Sequence, residues 1–267
     1  ERSMRVSLHL ADLDGTNGFM ISGVYRHDYS GCAVSSAGDM NGDGIDDIVI
    51  GARRGGHYGS TTGASFVVFG DTSMRASLYL GDLDGNNGFV MYGVNFGDDL
   101  GGVVSSAGDV NGDGIDDVIL AAREADPNGN RSGASYVVFG SMSIRDSLNL
   151  SDLDGNNGFV INGASTYDFI GDALSSAGDV NGDGLDDLII GAYNAGPNGI
   201  RRAGESYVIF GDMAARDSLN LSNLDGTNGF VINGKYEGDR SGHSVSEAGD
   251  VNGDGFDDLI IGAYGAD

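Results

Sequence analysis

The chain has 267 residues, enough for one large or two ordinary domains with a sizeable core. Its 40 acidic residues outweigh 14 basic ones, and the formal net charge of −26 would repel a nucleic-acid backbone or an anionic membrane surface, so neither is an expected partner. A count of 48 glycines beside 2 prolines, with 40% hydrophobic residues, excludes a disordered linker or collagen and fits many short strands joined by tight turns.

From the N-terminus, the first landmark is Asp12-Leu13-Asp14-Gly15-Thr16-Asn17-Gly18-Phe19, and it returns from Asp82, Asp152 and Asn223. It leads into a predicted strand, Gly18 to Gly23. The second landmark, Gly38-Asp39-Met40-Asn41-Gly42-Asp43-Gly44-Ile45-Asp46-Asp47, returns from Gly108, Gly178 and Gly249. Both keep one period of about 70 residues. The chain therefore divides into one domain of four repeats, at approximately 1–70, 71–140, 141–211 and 212–267, the last one truncated.

The second repeat shows the elements of a unit. Gly102 to Ala107 is a strand of small residues, followed by the Asp/Asn/Gly loop. Val118 to Ala121 is a nearly continuous apolar run, as in a strand covered on both faces, and Asp187 to Ala192 is its counterpart one unit on. Ser135 to Gly140 and Gly158 to Gly163 are the third and fourth strands. No stretch sustains a helical period. The expected fold is all-β, a β-propeller built from four-stranded antiparallel blades.

The loop between the first two strands carries the chemistry. It sets oxygen-bearing groups at alternate positions of a tight turn, which suits Ca²⁺, a hard cation taking six to eight oxygen ligands. The expected ligands are Asp39, Asn41, Asp43 and Asp47 through side chains, with the Ile45 carbonyl. The later repeats give Asp109, Asn111, Asp113, Ile115 and Asp117, then Asp179, Asn181, Asp183, Leu185 and Asp187, then Asp250, Asn252, Asp254, Phe256 and Asp258. About four Ca²⁺ ions are thus expected, one per repeat. Zinc would want nitrogen or sulfur, and Mg²⁺ a stricter octahedron with retained waters. Carboxylates ~4–5 Å apart repel by roughly 3–4 kcal/mol per pair at an effective dielectric near 20, so such loops call for a cation. Asp-Gly-rich loops also serve as plain turns, but four loops keeping the same ligand positions argue against that. For the first landmark both readings stand: Asp12, Asp14 and Asn17 as a second ion site, or an Asp-Gly or Asn-Gly hairpin turn.

These units resemble FG-GAP repeats, the blades of the integrin α-subunit propeller and of many bacterial surface proteins. The residues that carry the likeness are Phe69-Gly70, Phe139-Gly140 and Phe210-Gly211, the pairs Gly51-Ala52, Gly191-Ala192 and Gly262-Ala263, and the acidic loops. One departure is Ala121-Ala122, where the glycine of the pair is missing. Another is the count, since the family's rings usually close with about seven blades. The expectation is an incomplete ring or part of a larger one, completed by further repeats or by another copy; a four-bladed ring is the alternative.

In such a blade the metal loops and the first-landmark turns share one face. The other face carries segments that differ between units: Val24 to Ser30, Val94 to Leu100, Ala164 to Ile170 and Lys235 to Ser241, and Arg53 to Thr62, Arg123 to Ser132 and Tyr193 to Ala203. Arginine and tyrosine, which anchor interfaces well, concentrate there, Tyr58, Tyr167 and Tyr236 among them. Arg5, Arg75, Arg145 and Arg216 recur at equivalent places, as a repeated ion pair or stem packing would. Cys32 stands alone, excluding an internal disulfide, and the triplets at Asn130, Asn149 and Asn220 match a glycosylation acceptor.

The expected function is an extracellular, calcium-stabilised adhesion or interaction module whose variable face binds protein or glycan. Extracellular calcium suits weak sites with dissociation constants of ~10⁻⁴–10⁻³ M. Secretion or display at the cell surface follows from the calcium and the resemblance, because the chain opens at Glu1-Arg2-Ser3 without a leader pattern. The alternative is a lectin, or the carbohydrate-binding part of a larger polysaccharide-active enzyme. No G-x-S-x-G elbow, phosphate loop or H-E-x-x-H pair is present, so no catalysis is expected.

Overall fold

A computed structural model describes residues 7–56, 61–73 and 75–266. Eighteen strands follow one another: β1 (Met20–Ser22), β2 (Ser30–Gly38), β3 (Asp47–Ala52), β4 (Ala64–Val68), β5 (Ser77–Tyr79), β6 (Gly88–Tyr92), β7 (Val104–Gly108), β8 (Asp117–Ala122) and β9 (Ala134–Val138). Then come β10 (Ser147–Asn149), β11 (Gly158–Asn162), β12 (Ala173–Gly178), β13 (Asp187–Ala192), β14 (Glu205–Ile209), β15 (Ser218–Asn220), β16 (Gly229–Asn233), β17 (Ser241–Gly249) and β18 (Asp258–Ala263). The described helices are all short 3₁₀ turns, as the absence of a helical period predicted.

Three sheets repeat one antiparallel order: β2-β3-β4-β6, β7-β8-β9-β11 and β12-β13-β14-β16. The propeller-blade expectation is met, with an addition. Short strands β10 and β15 join the outer edges of the first two blades in parallel, pairing with β6 and β11, and β5 pairs in the same way with β1. Each of these strands belongs to the repeat after the one it pairs with. A 3₁₀ turn follows each, and its leading leucine (Leu80, Leu150 or Leu221) is 3% exposed.

The apolar runs of the second strands are buried on both faces because blades stack face to face. Val49 of β3 packs with Val104, Val118 and Leu120 of the next blade. Ile119 of β8 points the other way, into a cluster with Leu174, Leu188 and Ile190. Alternate residues of one strand thus serve two cores ~10 Å apart. Ile189 continues the pattern against Val245, Leu259 and Ile261.

At either end of the stack one face is uncovered. Val34 is 63% exposed, whereas Val104 and Leu174 at the same position are 6% exposed. Ile260 is 61% exposed, whereas Ile119 and Ile189 are fully buried. Among the described residues β1 pairs only with β5, and β17 and β18 form a two-stranded sheet, so the blades do not close into a ring.

The motif residues have local reasons. Phe69, Phe139 and Phe210 leave the third strand and pack at about 6 Å on Phe89, Phe159 and Phe230. Gly51 meets the Gly101 carbonyl so closely that a Cβ would lie 1.9 Å from it. In the second unit Ala121 stands at that position, and a Cβ on the facing Gly171 would lie 2.7 Å from the Ala121 Cβ.

Candidate metal loops

Each acidic loop joins the first and second strands of a sheet and is folded by its own side chains. In the first, Asp39 accepts from the amides of Asp43 (3.0 Å) and Gly44 (2.7 Å), Asn41 from Asp43 (2.9 Å), and Asp43 from Ile45 (2.9 Å). Asp47, the first residue of β3, accepts from Met40 (2.9 Å) and Gly70 (2.8 Å). Gly44 has φ +86°, which a side chain would resist.

The pattern recurs at Asp109, Asn111, Asp113 and Asp117, with Ile115 donating to Asp113, and at Asp179, Asn181, Asp183 and Asp187, with Leu185 donating to Asp183. In the fourth loop Asp250 holds Gly255, Asn252 holds Asp254, Asp254 holds Phe256, and Asp258 holds Val251. The carboxylates therefore act as amide acceptors that preshape the turn. Among the described residues, no group of three or more Asp, Glu, His or Cys side chains is disposed to hold a metal.

Charge within the loops is nevertheless unbalanced. Asp47, Asp117 and Asp187 are at most 1% exposed. Burial, aided by the neighbouring loop carboxylates, pushes them up to about 6, 8 and 6, against the pull of their amide donors. Among the described residues none of the three has a cationic partner within ion-pair distance. An all-oxygen donor set carrying buried negative charge fits a hard divalent cation in chemistry. Binding one would require Asp39, Asn41 and Asp43 and their counterparts to exchange amide partners for the ion.

In the second, third and fourth loops the first aspartate of the Asp-Asp pair has a role that the sequence reading missed. Asp116 accepts from the amide of Asp39 in the preceding loop at 2.7 Å, Asp186 from Asp109 at 2.8 Å and Asp257 from Asp179 at 2.9 Å. In return the Asp39, Asp109 and Asp179 carbonyls accept from their amides. These reciprocal pairs latch one loop to the next. They also explain the glycine before each of the first three loops: a Cβ on Gly108 would lie 2.2 Å from Asp186 Oδ2.

The first-landmark segment closes on itself. Asn17 accepts from the Asp14 amide (3.1 Å) and donates to the Asp12 carbonyl (2.9 Å), while Asp14 accepts from Thr16. The same bonds return around Asp84, Asp154 and Asp225, so the oxygens serve a turn. Beside it, Arg75, Arg145 and Arg216 lie over Phe19, Phe89 and Phe159 at 6.0, 4.8 and 4.9 Å, spanning consecutive units. Arg75 and Arg216 also pair with Asp71 and Asp212, whereas Arg145 has Ser141 in that place; Arg145 and Arg216 both donate to the carbonyl of the preceding motif phenylalanine, Phe139 (2.6 Å) and Phe210 (3.0 Å). Both expected explanations, ion pair and stem packing, apply. Arg5 lies outside the described residues.

The variable segments gather on the opposite face, and backbone bonds zip them together, such as Phe169 to Arg131 and Arg240 to Arg202. The nine described non-glycine residues at positive φ (His27, Tyr29, Asp99, Arg131, Tyr167, Phe169, Asn198, Arg202 and Arg240) all lie in these loops. Arg53 and Arg54 both approach the Tyr29 ring, at 5.3 and 5.1 Å. Tyr58 lies outside the described residues.

Antiparallel four-stranded blades, each with one acidic loop between its inner strands, define a propeller-type repeat protein. A model of the FG-GAP repeat matches residues 33–68, 101–138, 171–209 and 242–267, more than half of the chain, and the chain belongs to that family. It is 30% identical over 249 residues to integrin alpha pat-2 of Caenorhabditis elegans, a match covering 90% of this chain and 18% of that protein. Integrin alpha-5 of Xenopus laevis is 28% identical (91% of this chain, 20% of that protein), and integrin alpha-8 of Homo sapiens 27% (90% and 20%). The chain spans about a fifth of the length of these relatives.

Proposed function

We propose that this chain is an extracellular calcium-binding adhesion or interaction module, not an enzyme, with Ca²⁺ stabilising the blade loops and the opposite face binding a partner. The observation that carries the calcium reading is the buried carboxylate closing each of three loops, Asp47, Asp117 and Asp187, with no ion-pair partner among the described residues. Bound Ca²⁺ would supply the missing positive charge, held by the aspartates and asparagine of each loop with the carbonyl of Ile45, Ile115, Leu185 or Phe256. The adhesion reading, and with it secretion or cell-surface display, is supported by the integrin alpha relatives. No helix among the described residues is long and apolar enough to cross a membrane.

The uncovered faces around Val34 and Ile260 support further repeats, from this chain or another copy, as neighbours. A second reading, a carbohydrate-binding module, is favoured by tyrosines on the variable face, where Tyr25, Tyr167 and Tyr236 are 52%, 51% and 60% exposed; a glycan array tests it. Thermal melting in millimolar CaCl₂, MgCl₂ or EDTA tests the calcium reading. Ligand at ~10 times the dissociation constant stabilises by ~1.4 kcal/mol per site, so four sites together shift the melting temperature by several degrees. A melting temperature that is the same in CaCl₂ and EDTA overturns it.

A further inference from the structure

On the variable face, between the β13–β14 and β16–β17 loops, lies a cleft of about 370 Å³ lined by Arg201, Arg202, Glu237, Gly238, Arg240 and Tyr264. Its shape is fixed by backbone bonds, Gly238 to the Arg201 carbonyl (3.2 Å) and Arg240 to the Arg202 carbonyl (3.1 Å). Arg202 and Arg240 hold left-handed conformations, φ +53° and +56°. Side chains that are bulky and polar persist there only where surrounding structure imposes it. The Arg240 guanidinium lies over the Tyr264 ring at 5.2 Å and bonds its hydroxyl. The edge of that ring meets His243 at 4.4 Å, and His243 in turn meets Tyr193 at 5.3 Å. Arg240 is therefore already oriented.

The preceding junction is built on the same backbone bonds and serves as an internal control. There Phe169 bonds the Arg131 carbonyl as Arg240 bonds that of Arg202, and Tyr167 bonds that of Asn130 as Gly238 bonds that of Arg201. Arg131 is neutralised by Glu124 at 2.7 Å and rests on the Phe169 ring at 5.8 Å. Asn194 closes the gap by donating to the Tyr167 carbonyl at 2.6 Å.

At the next junction the arginine is kept, as Arg202, and the groups around it have changed. Asn194 stands where Glu124 stood, Arg240 replaces Phe169, Gly238 replaces Tyr167, and Gly265 replaces Asn194. A packed junction whose arginine is paired has become an open one lined by three arginines. Among the described residues no carboxylate lies within ion-pair distance of Arg201, Arg202 or Arg240. In a chain of net charge −26, the cleft thus gathers three guanidinium groups that form no ion pair among the described residues, against one carboxylate, Glu237, in its lining.

We infer that this cleft binds an acidic segment of a partner protein, an aspartate or glutamate carboxylate being gripped by Arg202 and Arg240 with Arg201 alongside. The inference deepens the interaction-module reading and rests on it, but not on calcium. Guanidinium forks match a carboxylate with two parallel hydrogen bonds. A sugar acid fits less well, because Tyr264 is the aromatic ring in the lining and its face is already taken by Arg240. Glu237 on the same wall opposes a densely charged polyanion.

The test is fluorescence polarisation at low ionic strength and fixed calcium. The probe is a labelled ten-residue Asp-Ser peptide; its Asn-Ser counterpart and a labelled oligogalacturonate are the other arms. The parent chain binds the Asp-Ser peptide, and the Arg202→Gln/Arg240→Gln double variant weakens binding by at least about tenfold. Asn194→Glu, which leaves every arginine in the chain and restores the pairing seen at Arg131, weakens it as strongly and keeps the test valid should the double variant fold poorly. Arg123→Gln, which removes an arginine on the same face already paired with Asp172, leaves binding unchanged. Peptide binding that survives both cleft variants overturns the inference. So does oligogalacturonate binding tighter than the peptide; if the cleft variants abolish it, the face still stands as an interaction surface. Binding in no arm overturns both the inference and this use of the face.

Discussion

Replacing Asp186 separates the latch between loops from the charge it carries. Its Oδ2 accepts from the partly buried Asp109 amide at 2.8 Å across the blade junction. Asp186→Ala orphans that donor, which costs about 1–3 kcal/mol. Against this, burial and the charges of Asp116, Asp109 and Asp257 hold the Asp186 carboxyl above its ordinary range, so its ionised form is itself unfavourable. Asp186→Asn keeps an acceptor oxygen and removes the charge. The alanine variant should therefore lose about 1–2 kcal/mol net, or roughly 2–4 °C of melting temperature for a chain of this size. The asparagine variant should stay within about 1 kcal/mol of the parent. Circular-dichroism melts at pH 7 measure the difference, and hydrogen exchange localises it: the Asp109 amide should exchange faster in the alanine variant alone. Equal losses in both variants, or an unchanged Asp109 amide in the alanine variant, would refute the latch.

Gly108→Ala should cost more than about 2 kcal/mol, since it combines a φ of +71° with a Cβ 2.2 Å from Asp186 Oδ2; a urea midpoint equal to the parent's would contradict the close approach. Asp168, 7% exposed, is pushed up to about 7 by burial and by the nearby Glu205 charge. Because the folded chain holds this proton more tightly than the unfolded one, the stability it contributes is full below pH ~4 and is lost as pH rises to about 7, by at most ~4 kcal/mol. Asp168→Asn should flatten that part of the stability–pH curve, and an unchanged slope would exclude Asp168 as its source. Arg145→Lys should lose about 1–2 kcal/mol in urea denaturation, because lysine cannot both reach the Phe139 carbonyl and lie flat over Phe89. Full retention by lysine would mean that charge alone matters there.

The strands were legible because their residues serve two cores at once, which writes an unbroken apolar run such as Asp187–Ala192 into the chain. The loops were legible because turn geometry fixes residue types at set positions. Three features were hidden. The strands β5, β10 and β15 are three residues long and show a single leucine between polar neighbours, too little to register as a strand. Asp116 looks like one more acid in an acidic loop, and the amide it holds is 77 residues away. The left-handed Tyr167, Phe169 and Arg240 are residue types that give no local sign of positive φ, because neighbouring loops impose it. The uneven partners of Arg75 and Arg145 follow from Asp71 having Ser141 as its counterpart.

Because β5, β10 and β15 are lent backwards, every repeat boundary is stapled twice, once by the covalent chain and once by a borrowed strand. A protease that nicks the exposed Arg123–Ser132 loop would sever the backbone between β8 and β9. Those two strands still pair with each other, β10 still pairs with β6, and Asp186 still holds Asp109, all across the cut. A nicked molecule should therefore travel as one species in a native gel and part into two fragments only in denaturant.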